Sequence, residues 1–331
     1  MLTTDFSPVN NLFLAYPDGF QNEYEELVSF YDKLITKIPP DINLFLIVNN
    51  LKAKERLKHK FPRKKIEIII EGTWNEIWLR DILGIVKDDY IIKPLYEPNY
   101  CNYLIANRNI RQLNNSAIKI AEDYIKMGVI QLPLKFDGGN FVANQNFAFI
   151  TEKILSDNKL TQNEVITIIN DALGVIPIIV PLNKGDILGH TDGYLSFLDE
   201  DTICITEYPK MEIFKYDNEY SNILGSICRD LNFRTINIYD RPLNYSIKCE
   251  CELQKERKCC TYAANGNYIN FLRLNNTIIL PEYTLTTLKE TIHYNNINEE
   301  ILSNLGYQVI KINCDTLAQH GGSLRCLSFT F

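Results

Sequence analysis

Short apolar runs alternate with polar turns and helix-period stretches along the whole chain, and the alternation repeats five times. Each unit reads strand, polar turn, strand, helix, strand. The second and last strands of the units fall at 11–15 and 42–48, 90–92 and 129–134, 147–150 and 175–180, 202–205 and 235–239, and 277–280 and 308–312. Between them lie helix-period stretches at 23–38, 114–126, 161–173, 219–231 and 297–305. The first carries Leu27, Phe30, Tyr31, Leu34 and Ile35 on one stripe, and Pro39-Pro40 stops it. Thr161 and Glu164 open the third as a capping box, and Gly174 closes it. The leading strands end in polar turns at 87–89, 144–146, 199–201 and 275–276. The first unit lacks a leading strand of its own, while 326–331 reads as a strand with no follower. The economical inference is that this terminal strand pairs with 11–15 and closes a ring of units, removing exposed edges.

A chain of 331 residues suggests two domains by length. The repeat argues instead for one α/β domain over 1–331, because a unit this small cannot cover both sides of its own sheet. Hydrophobic residues make up 46% and charged residues 23%, an ordinary balance for a globular protein. A net charge of −7 argues against a nucleic-acid partner. The basic run at 52–65 reads as a solvated helix face and turn. No apolar run has the roughly 20 residues of a membrane span, and residues 1–10 lack the pattern of a signal peptide. Nine cysteines, an odd number, fit a reducing cytoplasm in which most thiols are small core residues. The cluster Cys249, Cys251, Cys259 and Cys260 lacks the paired spacing of a zinc site, so loop and core thiols are expected there, with no metal and no cofactor. Irregular segments fall at 97–112, 186–191 and 240–267, and the last two run into candidate site segments as loops near a pocket mouth.

The residues that stand out chemically share one position in the repeat, just before its leading strand. They are Trp78-Leu79-Arg80-Asp81, Asp137-Gly138-Gly139-Asn140, His190-Thr191-Asp192, Asn267 to Asn270, and the run from His320 to Cys326. A cysteine attacks carbon as a thiolate, and a nearby histidine handles the protons. Carboxylates beside such a cysteine oppose thiolate formation unless the substrate brings positive charge. A planar guanidinium brings that charge, and carboxylates can hold its N–H donors. Cys326 would attack the central carbon, and His190 would protonate the departing amine and then activate a water. Taken alone, Cys326 would be a buried core thiol and His190 a structural histidine; together with three carboxylates they read as a catalytic set. Asn270 reads first as a side chain that holds a loop and Trp78 first as pocket wall, with substrate contact the second reading for both. The candidates for the far end of the substrate are Arg325, Arg273, Glu76 and acidic loop residues.

WLRD, DGGN, GHTDG, NYINF and the terminal GGSLRC, in this order over almost the whole chain, resemble the guanidino-group-modifying enzymes of the pentein superfamily. The pattern is most similar to agmatine deiminases and bacterial-type peptidyl-arginine deiminases. The resemblance implies a five-bladed α/β propeller of ββαβ modules. It also implies Cys326 as nucleophile, His190 as general acid/base, and Asp81 and Asp192 as guanidinium ligands; Trp78, Asn140 and Asn270 complete the expected substrate-binding set. Asp137 stands where relatives carry Glu and would orient His190. Arg325 stands where agmatine deiminases carry His. The expected partner is a small guanidino molecule, agmatine first, then arginine or peptidyl arginine. An amidinotransferase with the same site and a non-catalytic binding module are the alternatives. Oligomeric state is open, a homo-oligomer included.

Overall fold

The computed structural model describes residues 1–20, 24–61, 64–98, 110–183, 186, 188–243 and 264–331. The expected mixed α/β plan is present as five small sheets. The first contains β1 (Asn11–Ala15), β2 (Asn43–Val48) and β3 (Ile66–Ile70), parallel to one another. The second contains β4 (Ile85–Lys87), β5 (Tyr90–Leu95) and β6 (Gly128–Lys135). The third contains β7 (Val142–Ala143), β8 (Phe147–Thr151) and β9 (Ile176–Val180). The fourth contains β10 (Leu195–Phe197), β11 (Thr202–Glu207) and β12 (Arg234–Tyr239). The fifth contains β13 (Leu272–Leu274), β14 (Thr277–Glu282) and β15 (Gln308–Asn313). In the last four sheets a short leading strand is antiparallel to the second, and the second is parallel to the third. Parallel neighbours need a crossover, which the intervening helices supply.

The terminal strand β16 (Ser328–Thr330) takes the leading place in the first sheet. It runs antiparallel to β1 in the register Leu12↔Thr330, Phe13↔Phe329, Leu14↔Ser328. The pairing read from the sequence is therefore present. Phe329, 1% exposed, meets Phe13 edge to face at 6.4 Å.

The helices follow the predicted stripes, with informative differences. Val28–Lys37 buries Phe30, Tyr31, Leu34 and Ile35, as the stripe requires. Gln162–Leu173 has both halves of the Thr161–Glu164 capping box and ends at Gly174 with φ 75°. Ile110–Ile120 begins inside the segment read as irregular and continues into a π-helical turn at Ala121–Ile125. Leu288–Asn304 starts well before the predicted 297, because the one buried residue of its first half is an asparagine, Asn295, where a stripe would place an apolar residue. Asn298 bonds both the N–H and the C=O of Tyr239, and Asn295 accepts from Tyr283 N and Tyr268 Oη. The basic run does hold a helix, Leu51–Lys58, capped by the Asn50 side chain. The strand β3 that follows was not foreseen, since a fourth strand has no counterpart in the other units. No helix among the described residues is long and apolar enough to cross a membrane.

The largest core lies around the first and fifth sheets, a second joins the β4–β6 and β7–β9 sheets, and a third joins β8 to the β10–β12 sheet. The cluster Cys249, Cys251, Cys259 and Cys260 lies outside the described residues.

The pairing of the two ends of the chain gives a stability prediction. Phe329→Ala should cost about 3–5 kcal/mol in urea unfolding, the usual range for emptying a buried aromatic site. A loss under about 1 kcal/mol would mean that β16 contributes little to the first sheet.

Candidate functional site

Five turns, each leading into the first strand of a sheet, supply the candidate residues. Asp81 lies in the short helix Leu79–Leu83 before β4. Asp137 immediately precedes the 3-10 turn Gly138–Asn140 before β7. His190 immediately precedes the 3-10 turn Thr191–Gly193, which carries Asp192 and leads into β10. Asn270 lies just before β13, and Cys326 just before β16. Equivalent turns on similar sheets deliver side chains that are far apart in sequence to one buried place.

The contacts there are short and specific. His190 Nε2 donates to Asp137 Oδ2 at 2.9 Å. Asp137 thus reaches the imidazole although its side chain is a methylene shorter than Glu. His190 Nδ1 lies 3.8 Å from Asp81 Oδ1, which accepts the Gly139 N–H at 2.8 Å. A Cβ built on Gly139 would stand 2.6 Å from His190 Nδ1, 2.8 Å from Asp81 Oδ1 and 3.3 Å from Asp192 Oδ1. The glycine is therefore the point where imidazole and two carboxylates converge, and a Cβ there would collide with His190 and Asp81 and crowd Asp192. Asp192 Oδ1 faces that cradle, while its Oδ2 lies 3.8 Å from Cys326 Sγ. Asp192 links the sulfur side of the site to the imidazole side.

Asn270 acts as the holder that its first reading suggested. Its Oδ1 accepts the Arg325 and Cys326 N–H groups at 3.1 and 3.3 Å and lies 3.3 Å from Cys326 Sγ. Its Nδ2 donates to the Asp192 carbonyl at 3.1 Å. Asn140 ties its turn to β8, accepting the Thr151 N–H at 2.9 Å. These asparagine oxygens are engaged by backbone, so both residues position the site. The Trp78 ring packs against Gly322, where a Cβ would stand 2.5 Å from it.

Electrostatics follow from burying this many charges. Burial, then Asp137 and Asp192, push Asp81 up to about 7 against the pull of His190. For His190 burial works downward, but Asp81, Asp137 and Asp192 outweigh it and raise the imidazole to about 9. Burial, Asp192 and Asp81 hold the Cys326 thiol well above its usual range, with Arg325 opposing them. Near neutral pH the site therefore holds an imidazolium and a thiol.

Four charged groups in or beside the site were not foreseen in these places. Arg325 is buried and committed: Nη1 donates to Asp192 Oδ2 at 2.9 Å, Nε to Asp5 Oδ2 at 2.9 Å, and Nη2 to the Phe141 carbonyl at 3.1 Å. Arg80 Nη2 lies 3.4 Å from Asp5 Oδ1. Lys93, 2% exposed, donates to Pro94 O and Asn114 Oδ1, and burial lowers its pKa to about 7 while Asp137 opposes. A lysine inside the buried strand YIIKPL was the available signal for Lys93. Nothing local in the sequence marks Asp5. Of the far-end candidates, Arg273 bonds the Asn275 carbonyl and packs 5.0 Å from the Tyr307 ring, and Glu76 accepts from Tyr24 Oη and Ile77 N.

Two measurements check this geometry. Gly139→Ala should leave the fold intact while reducing any activity by about 100-fold or more, since displacing reacting groups by even 1 Å has costs of this order; unchanged activity would place the reacting groups elsewhere. Alkylation of Cys326 by iodoacetamide, followed on its own peptide by mass spectrometry, should have a midpoint above the free-thiol value of about 8.5. Because Asp192 disfavours the thiolate, Asp192→Asn should move that midpoint to lower pH; a rise would reverse the assigned electrostatics.

The family model for Porphyromonas-type peptidyl-arginine deiminase matches residues 1–331. No curated protein matches the chain. Among solved structures, C. jejuni agmatine deiminase has a TM-score of 0.76 at 18% identity, covering 100% of this chain and 96% of its own. Enterococcus faecalis agmatine deiminase has a TM-score of 0.72 at 15% identity, covering 99% and 94%. The dimethylarginine dimethylaminohydrolase of Pseudomonas aeruginosa has a TM-score of 0.57 at 14% identity, covering 98% and 100%. These likenesses concern the fold. With the family model matched from end to end, this chain belongs to the Porphyromonas-type peptidyl-arginine deiminase family.

Proposed function

We propose that the chain is a guanidine deiminase whose leading substrate is agmatine, hydrolysed to N-carbamoylputrescine and ammonia. The observation that carries this reading is Asp192, which faces Cys326 Sγ with one oxygen and the His190–Asp81 cradle with the other. A thiol held protonated by carboxylates is inert until a cation arrives. A guanidinium offsets Asp81 and Asp192, and on binding the Cys326 thiol gives its proton up to solvent and becomes thiolate. In this reading the five sheets are the blades of an α/β propeller forming one catalytic domain, and the site lies where their leading turns meet.

The steps balance as follows. The Cys326 thiolate adds to the guanidinium carbon. The His190 imidazolium protonates one nitrogen, which leaves as ammonia, and the carbon remains bound to sulfur as an S-alkylthiouronium. The now neutral His190, held by Asp137, takes a proton from water as its oxygen adds to the same carbon. The C–S bond breaks, regenerating thiolate, and the carbon's O–H proton passes to the released ammonia as ammonium, leaving the neutral ureido product. Asp81 and Asp192 each have one oxygen already engaged, by Gly139 N–H and by Arg325. Their remaining oxygens would each take one side of the guanidinium.

An amine at the far end is favoured over an α-carboxylate because Arg325 is already bound to Asp5, Asp192 and the Phe141 carbonyl. The test is a panel of agmatine, arginine, an arginine-containing peptide and methylated arginines, scored for ureido product and ammonia. Agmatine should give the highest kcat/KM, and Cys326→Ser should lose roughly 1,000-fold or more in kcat with the fold retained. Ureido product from the peptide alone would overturn the substrate assignment. Amidino transfer to an added amine without ammonia would overturn hydrolysis.

A further inference from the structure

A buried chain of charges extends behind the site into the first residues of the protein. Residues 2–5 run along the β4–β5 hairpin: Leu2 bridges Lys87, and Thr3 N–H donates to the Val86 carbonyl at 2.9 Å. Gln145 bonds both backbone groups of Leu2, through its Oε1 and its Nε2. This strap delivers Asp5 to the two arginines beneath the site. Arg325 Nε and Nη2 both lie 2.9 Å from Asp5 Oδ2, and Arg80 Nη2 lies 3.4 Å from Asp5 Oδ1. The third arm of the Arg325 fork, Nη1, is the one that reaches Asp192.

Resting on the guanidine reading of the site, we infer that Asp5 is a positioning residue for the reaction. It holds and partly neutralises Arg325, so that this internal guanidinium pins Asp192 in place without cancelling the negative charge that a substrate guanidinium needs.

The argument is one of competition. Asp192 is asked to face two guanidiniums, one from the chain and one from the substrate. Arg80 and Arg325 lie close enough that each affects the other, and Asp5 and Asp192 are the carboxylates that face both. Burial pushes the Asp5 carboxyl up, but Arg325 and Arg80 outweigh it and keep the carboxyl below its usual range. Without Asp5 the Arg325 charge has Asp192 as its main counterion. The attraction left for a cationic substrate then falls, while the unbalanced positive charge favours the Cys326 thiolate. The charged groups facing Cys326 are Asp192, Asp81, Arg325 and Arg80; Arg273 also faces Asp5. Removing Asp5 therefore has two effects of opposite sign on substrate binding and thiol ionisation, a pattern that simple loosening of the fold does not produce.

The experiment uses the full chain with Asp5→Asn and Asp5→Glu. Two quantities are read: KM and kcat for agmatine, and the pH midpoint for alkylation of Cys326 by iodoacetamide, a neutral probe. For Asp5→Asn, KM should rise about tenfold with a smaller change in kcat, and the alkylation midpoint should fall by about half a unit or more. Asp5→Glu should return both toward wild type, since a cavity of about 30 Å³ lined by Asp5, Arg80 and Arg325 has room for the extra methylene. An alkylation midpoint in Asp5→Asn equal to or above that of wild type overturns the inference, whatever the substrate proves to be. A lowered midpoint with an unchanged KM overturns it as well. If wild type turns over no guanidine, the proposed function fails, and the alkylation arm alone still judges whether Asp5 controls the charge at Cys326. Should Asp5→Asn be too unstable to purify, Asp5→Ser reads the same quantities.

Discussion

The structure depends on how one carboxylate is shared. Asp192 holds the chain's own Arg325 with one oxygen, sets that same oxygen toward Cys326, and turns the other toward the Gly139 cradle. Around it Asp5, Asp81, Asp137 and Asp192 face Arg80, Arg325 and an imidazolium at His190. Four acids face three cations there in a largely buried place, and Asp81 is part-protonated near neutral pH. Burying these charges is costly, and the cost is visible where it falls: Asp81 is held near 7 and the Cys326 thiol above its ordinary range.

Packing this many charges together requires that their backbones approach closely and that the peptide groups stay bonded. The turns before the leading strands meet both needs. The Gly138–Asn140 turn brings Gly139 N–H onto Asp81 and leaves no side chain to occupy the cradle. Asn270 holds two consecutive N–H groups of the Arg325–Cys326 segment and the carbonyl of Asp192 with one amide. That side chain fixes the distance between sulfur and carboxylate by binding the backbone of both. The cores around the sheets provide the rigidity behind it, since close-packed interiors resist the small shifts that would let buried charges drift apart.

Arg325 shows how a buried charge can belong to the scaffold. A guanidinium beside Cys326 could have been read as a device for gripping a substrate carboxylate. Its fork instead spans Asp5, Asp192 and the Phe141 carbonyl, so it is part of the scaffold that carries the carboxylate. Planar geometry makes this feasible: one side chain can bond three acceptors in fixed directions, which an ammonium group does less well.

The sequence alone determined the repeated strand–turn–strand–helix–strand unit, the pairing of 326–331 with 11–15, the capped helix at 162–173, and the clustering of Cys326, His190, Asp81, Asp137 and Asp192. All of these rest on local periodicity, on turn chemistry, or on one repeated position, and such signals are written into neighbouring residues. The strand β3, the early start of the helix Leu288–Asn304, the holding roles of Asn140 and Asn270, and the commitment of Arg325 to Asp5 were decided by tertiary structure. Buried asparagines hide a helix because their burial is compensated by backbone groups far away in the chain. The Asp5–Arg325 contact spans 320 positions, and nothing near either residue reports the other. Local pattern records which face of an element is buried; which charge neutralises which is settled only once the elements have packed.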